Sequence, residues 1–280
     1  MWTDAHIHLY DTRRTTVTWP EMASPFPRSV YVPDFLEVAE PCGISRMVSV
    51  ECTVGGPEEV DNWTLTLTRH DPAVAAVIAC ADMTSPDFEA VHNRYLEFPK
   101  YRGIRVNSIS EENLPMFREN LAVMAKTRAH VVDILSDPKG ILTMLPAMEE
   151  AKDITFVLDH VPGCVPGYEQ QSQEVRDFLL TVAKLPNVNM KISSFITKSP
   201  EKPAPTDMEY YASIFANCMH YFGTQRCIFG SDWPVLEMKG QYADAVNALS
   251  QYAHIWGMHI MDDFMGNNCE RVYEADMEGV

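Results

Sequence analysis

DAHIHLYDTRRTTVTWPEM, residues 4–22, decides the fold of this 280-residue chain. Its opening, Thr3–His8, is short and apolar enough for a β-strand, and a long polar stretch follows with no glycine before Gly43. An open doubly wound α/β sheet usually carries a glycine-rich phosphate loop directly after its first strand. This chain has none there. Downstream, further strand candidates recur at Arg46–Glu51, Val74–Cys80, Gly103–Val106, His130–Ile134, Ile154–Leu158, Val188–Ile192 and Cys227–Phe229. Amphipathic helical patterns separate them: Asp34–Cys42, Glu58–Thr68, Phe88–Leu96, Asn113–Lys126, Lys139–Ala151, Glu174–Leu185, Asp207–Phe222 and Tyr242–Trp256. Strands alternating with helices indicate βαβ units and a parallel sheet. Eight such units without a phosphate loop favour closure into an α/β (β/α)8 TIM barrel, which needs about 250 residues. No shift in composition marks a boundary, so residues 1–280 are expected to form one domain. The proline-rich KSPEKPAPTD, residues 198–207, falls between the seventh strand and its helix and reads as an active-site loop.

Composition narrows the class. A formal net charge of −17 disfavours binding to nucleic acid or to an anionic membrane surface, both of which need clustered Lys and Arg. The longest apolar run, Ala73–Ala81, is far too short to span a bilayer. Seven scattered cysteines form no C-x-x-C pair, so neither a disulfide framework nor a thiolate zinc site is suggested. MWTDAHIHLYD lacks the basic start and apolar core of a signal peptide, and a reducing cytoplasm is the expected location.

Active sites of such barrels lie at the C-terminal ends of the strands, so polar residues there carry the chemistry. His6 and His8 are two apart on the first strand and would project to the same side. Asp232, in CIFGSDWPV, directly follows the last strand, which neighbours the first once the barrel closes. His160 ends the sixth strand in FVLDHVPG. Separately, each has a plain reading as a solvated histidine, a satisfied loop histidine or a turn cap. Their convergence gives them weight.

DAHIHLYD at the start, RGIR at 102–105, LDH at 158–160, KIS at 191–193, FGSDWPV at 229–235 and NNCERVY at 267–273 together resemble the lactonase-type branch of the amidohydrolase-2 group of the amidohydrolase superfamily. The resemblance implies hydrolysis of a small lactone, either a sugar-acid lactone or a carboxylated one of the 2-pyrone-4,6-dicarboxylate kind. It implies that Asp232 activates the attacking water, with His160 and Arg105 beside it. Arg105, Glu51, Lys191 and Trp233 would contact the substrate. Trp19, Trp63 and Trp233 could stack on a sugar ring, although core packing explains each equally well.

Two histidines and an aspartate, here His6, His8 and Asp232, suit one catalytic divalent ion, zinc before others. A metal-free mechanism stays open. Many superfamily members add a fifth-strand histidine; here His130 sits at the wrong end of that strand, and Asp133 near the right end breaks the pattern. A decarboxylase of the aminocarboxymuconate-semialdehyde type and a catalytically idle ligand-binding barrel are the alternatives. The expected partner is a small molecule alone.

Overall fold

A computed structural model of the protein describes residues 2–13, 28–52 and 58–274. Eight strands run β1 Trp2–Ile7, β2 Ile44–Val50, β3 Val74–Cys80, β4 Tyr101–Val106, β5 Val131–Ile134, β6 Thr155–Leu158, β7 Val188–Ile192 and β8 Cys227–Phe229. They are all parallel and hydrogen-bonded in sequence order. The helices between them are α1 Val32–Ala39, α2 Glu58–Thr68, α3 Phe88–Tyr95, α4 Leu114–Met124, α5 Pro138–Glu150, α6 Gln173–Val182, α7 Met208–Phe222 and α8 Tyr242–Trp256. Each expected element is present, displaced by less than a turn.

The local reasons are visible at the element ends. β3 reads VAAVIAC because a parallel strand is covered on both faces and has little use for alternation. α5 starts where the Asp137 carboxylate accepts the Gly140 N–H and Pro138 occupies the first turn. α6 starts where the Ser172 hydroxyl accepts the Val175 N–H. Outward strand residues such as Met47, Ile104, Phe156 and Phe229 pack against the helices.

Inside, Val48, Ile78, Val131, Val157 and Ile228 meet Cys269, Val272 and Tyr273. The last three belong to a closing helix, α10 Asn268–Tyr273, which follows α9 Met258–Asp262. Arg102, near the start of β4, donates to the Glu274 carbonyl, so α10 stoppers the end opposite the mouth. Among the described residues no helix is long and apolar enough to cross a membrane.

Closure is made by the segment just after β8. Ile7 bridges Trp233 in parallel, the His8 N–H donates to the Trp233 carbonyl at 2.9 Å, and the Asp232 N–H donates to the His6 carbonyl at 2.9 Å. Gly230 permits this approach: a Cβ there would lie 2.7 Å from His6 Cβ. Gly103 serves the β4–β5 seam, where a Cβ would sit 1.9 Å from the Val131 carbonyl oxygen. That neighbour is backbone in the barrel wall and cannot turn aside. Gly103→Ala should therefore lower unfolding stability by about 3 kcal/mol or more, at the upper end of over-packing costs. A urea midpoint equal to wild type would show that the β4–β5 seam tolerates a methyl group.

Candidate active site

Three imidazoles surround one carboxylate oxygen at the mouth. Asp232 Oδ1 lies 3.2 Å from His8 Nε2, 3.8 Å from His6 Nε2 and 4.0 Å from His160 Nε2. The His6 and His8 ring centroids are 5.0 Å apart, and those of His6 and His160 are 4.6 Å apart. Strands β1, β6 and β8 thus deliver all four residues to one point. The backbone bends to do so. His160 has φ 62° and Asp232 φ 65°, left-handed conformations that side chains other than glycine rarely adopt. Such strain persists where the surrounding structure holds it, and it clusters at functional sites.

Burial and charge set the protonation. Burial alone would raise the Asp232 carboxyl, but His160, the His8 contact and His6 outweigh it and hold the carboxyl well below the usual carboxylate range. Burial also lowers His160, against the pull of Asp232 and Asp159, and it lowers His6 strongly. At neutral pH the site holds an ionised carboxylate beside His6 and His160, two imidazoles that burial keeps from protonating.

The donor set fits a divalent cation. His8 Nδ1 lies 3.0 Å from the Val50 carbonyl, which can only accept, so Nδ1 carries the hydrogen. In neutral His8 the Nε2 lone pair then faces the Asp232 oxygen, two acceptors at 3.2 Å with no proton between them. His6 Nε2 is buried without a hydrogen-bond partner. A shared cation resolves both mismatches. Ligands about 2.0–2.1 Å from a tetrahedral zinc ion lie roughly 3.4 Å from one another, close to the 3.2 and 3.8 Å separations of His8 and His6 from Asp232.

Around this centre the structure sorts the other candidates. Arg105 is buried at the mouth with its Nε donating to Glu51 Oε1 at 2.6 Å and Nη2 to the Glu51 carbonyl at 2.7 Å. Glu51 therefore aims the guanidinium. Two expected substrate contacts are buried among other side chains. Lys191 has no exposed surface and pairs with Asp133 and Asp159 beneath His6. Trp233 is 1% exposed, packs edge-on against Phe35 and donates its indole N–H to Glu237, because it points behind the strand that Asp232 leaves. Trp63 is half-buried against Tyr31, and Trp19 lies outside the described residues. Within the loop at 198–207, Lys198 donates to the Val161 carbonyl and the Ala204 N–H to the Lys239 carbonyl, which ties this loop to those after β6 and β8.

Three residues of the site were not singled out in the sequence. Asp159, one residue before His160, lies 3.4 Å from His6 Nδ1 and can fix its tautomer. Asp4 accepts the His6 and Ser231 N–H groups and the Tyr242 hydroxyl, which ties β1 to the β8 loop and α8. Ser193 Oγ meets His160 Nδ1 at 2.8 Å. All three stand inside quoted motifs, DAHIH, LDH and KIS, and for the two aspartates a carboxylate within two residues of a candidate ligand was the available signal.

Known proteins resemble this chain over nearly its whole length. A family model described as Amidohydrolase matches residues 3–275. An L-fucono-1,5-lactonase from Burkholderia ambifaria is 26% identical over 94% of this chain and 89% of its own length. The structure of an amidohydrolase from Burkholderia multivorans with bound zinc superposes with a TM-score of 0.85 at 20% identity, covering 99% of this chain and 100% of that one. That of a probable 2-pyrone-4,6-dicarboxylic acid hydrolase from Acinetobacter baumannii with citric acid bound gives 0.78 at 18% identity, covering 98% and 99%. With the family model spanning nearly its whole length, the chain belongs to the amidohydrolase family.

Proposed function

We propose that this protein, as one barrel domain over residues 1–280, hydrolyses a small hydroxylated or carboxylated lactone, a sugar-acid lactone first among them. The observation that carries the reading is the ionised Asp232 carboxylate held among His6, His8 and His160 beside a fixed guanidinium. The similarity to an L-fucono-1,5-lactonase supports the substrate class.

Asp232 accepts a proton from water at the mouth. The oxygen so released adds to the lactone carbonyl, and negative charge develops on the carbonyl oxygen. Arg105, oriented by Glu51, and His160 are the donors that meet this charge, and donors fixed in advance act most strongly where charge appears only in the transition state. The ring C–O bond then breaks, and Asp232 returns its proton to the departing hydroxyl. A divalent ion held by His6, His8 and Asp232, zinc the first choice, would supply Lewis-acid polarisation and a more acidic water. In an acidic chain, Arg105 gives the mouth a local preference for anionic or oxygen-rich ligands.

Two variants and a panel test this. Asp232→Asn keeps the shape of the side chain but cannot take the proton, so kcat should fall by about 10²–10⁴ while the fold is retained; near-normal turnover would remove Asp232 from the base role. Arg105→Ala should cost roughly 10–100-fold in kcat/KM on a carboxylated lactone, as expected for a lost charge-assisted hydrogen bond; unchanged kinetics would place Arg105 outside the site. A pH-indicator assay across aldonolactones and dicarboxylate lactones should find a substrate. An enzyme inert on all of them, yet releasing carbon dioxide from an aromatic or β-keto acid, would overturn the lactonase reading.

A further inference from the structure

Two sets of side chains could each hold a cation, and they share His6: one adds His8 and Asp232, the other Asp159 and His160. Beside the second set the barrel already keeps a cation of its own. Lys191 Nζ lies 2.5 Å from Asp133 Oδ2, 3.0 Å from Asp159 Oδ1 and 3.3 Å from His6 Nδ1, and its side chain is wholly buried. Asp133 in turn accepts from the Tyr273 hydroxyl at 3.0 and 3.2 Å, and the Tyr273 ring centroid is 5.4 Å from the ammonium. Strands β5 and β7 and the closing helix therefore fix the ammonium from below, with no direction in which it could swing out.

We infer that the Lys191 ammonium takes the place of a second metal ion and limits the site to one. An ion bound through Asp159 would sit about 2.0–2.2 Å from that carboxylate. The carboxylate oxygen is already 3.0 Å from a fixed positive charge, and His6 Nδ1 faces the same ammonium. Two cations would then share one small dry space, where like charges repel strongly and water cannot screen them. Among the described residues, the set around Asp232 has no such occupant. His6 turns its Nδ1 edge, not its Nε2 edge, to Lys191, and the Arg105 guanidinium is bound to Glu51. Lys191 is thus a positioning residue: it neutralises Asp159 without a metal and leaves His6 Nε2 for a single ion at Asp232. Asp133 supplies the second negative charge that a buried ammonium beside a cation site needs.

The inference rests on reading the His6, His8 and Asp232 set as a cation site, and metal counting separates the two claims. Wild type, Asp133→Asn and the double variant Asp133→Asn with Lys191→Met are equilibrated with excess cobalt(II), passed through a desalting column and assayed for metal per chain by plasma emission. Circular dichroism checks the fold. The double variant, which removes one positive and one negative charge together, should carry one more equivalent than wild type. Asp133→Asn alone retains the ammonium and should carry the same number as wild type. If the double variant does not fold, Lys191→Gln, whose amide can still bond both carboxylates, replaces it with the same expectation. No extra equivalent in a folded variant lacking the ammonium, or an extra one in Asp133→Asn alone, overturns the role given to Lys191. A wild type that carries no metal contradicts the single-cation reading, while the difference between variants still reads the effect of Lys191.

Discussion

A backbone hydrogen bond from the Asp232 N–H to the His6 carbonyl, 2.9 Å long, joins the two ends of the barrel at its mouth. β8 is only three residues long, so the sheet is sealed less by a ladder than by this bond, its partner from His8 to Trp233, and the absence of a side chain at Gly230. The same contact that closes the fold brings a carboxylate to two imidazoles from the other end of the sequence. Closure and active-site assembly are one event, and damage to the seam should therefore reach the chemistry before it reaches the outer helices. Asp4 reinforces the point from behind, since a single carboxylate accepts from β1, from the β8 loop and from α8. Burial pushes that carboxyl up to about 6, against the hydrogen bonds from Ser231, His6 and Tyr242 that favour its charge.

Below the mouth the barrel holds a second charged layer in place of the usual apolar one. Lys191, Asp133 and Asp159 are completely buried, and each would be costly alone. Together they support one another, with burial opposing the Lys191 charge and both carboxylates restoring it. This layer acts on the site through His6, whose Nδ1 faces Asp159 and Lys191 and whose Nε2 faces Asp232. Arg105 plays a comparable part at the rim, where Glu51 holds it through two hydrogen bonds. Glu51 thus holds Arg105 in place as Lys191 and Asp159 hold His6.

The strands were legible because parallel barrel strands are apolar on both faces, and segments such as VAAVIAC at 74–80 have no other plausible home. The mouth residues were legible because strand order alone brings β8 to β1, which makes His6, His8 and Asp232 neighbours before any coordinate is known. The supporting layer was not. Asp133 stood near the place where many superfamily members carry a fifth-strand histidine and read only as a departure from that pattern, and the position of Lys191 two strands away gives it a reason. Nothing in the spacing connects Tyr273 to either, because the closing helix enters the barrel from its far end. For Trp233 the sequence offered both a substrate wall and core packing, and the indole is buried against Phe35 with its N–H on Glu237.

In the proposed reaction, water deprotonated at Asp232 attacks the carbonyl carbon of a lactone. A single turnover in ¹⁸O-labelled water with excess enzyme, followed by mass spectrometry of the hydroxy acid, tests that step. One labelled oxygen is expected, located in the carboxylate, with the ring oxygen retained as unlabelled hydroxyl. Label in the hydroxyl, or ring opening no faster than in buffer alone, would contradict it.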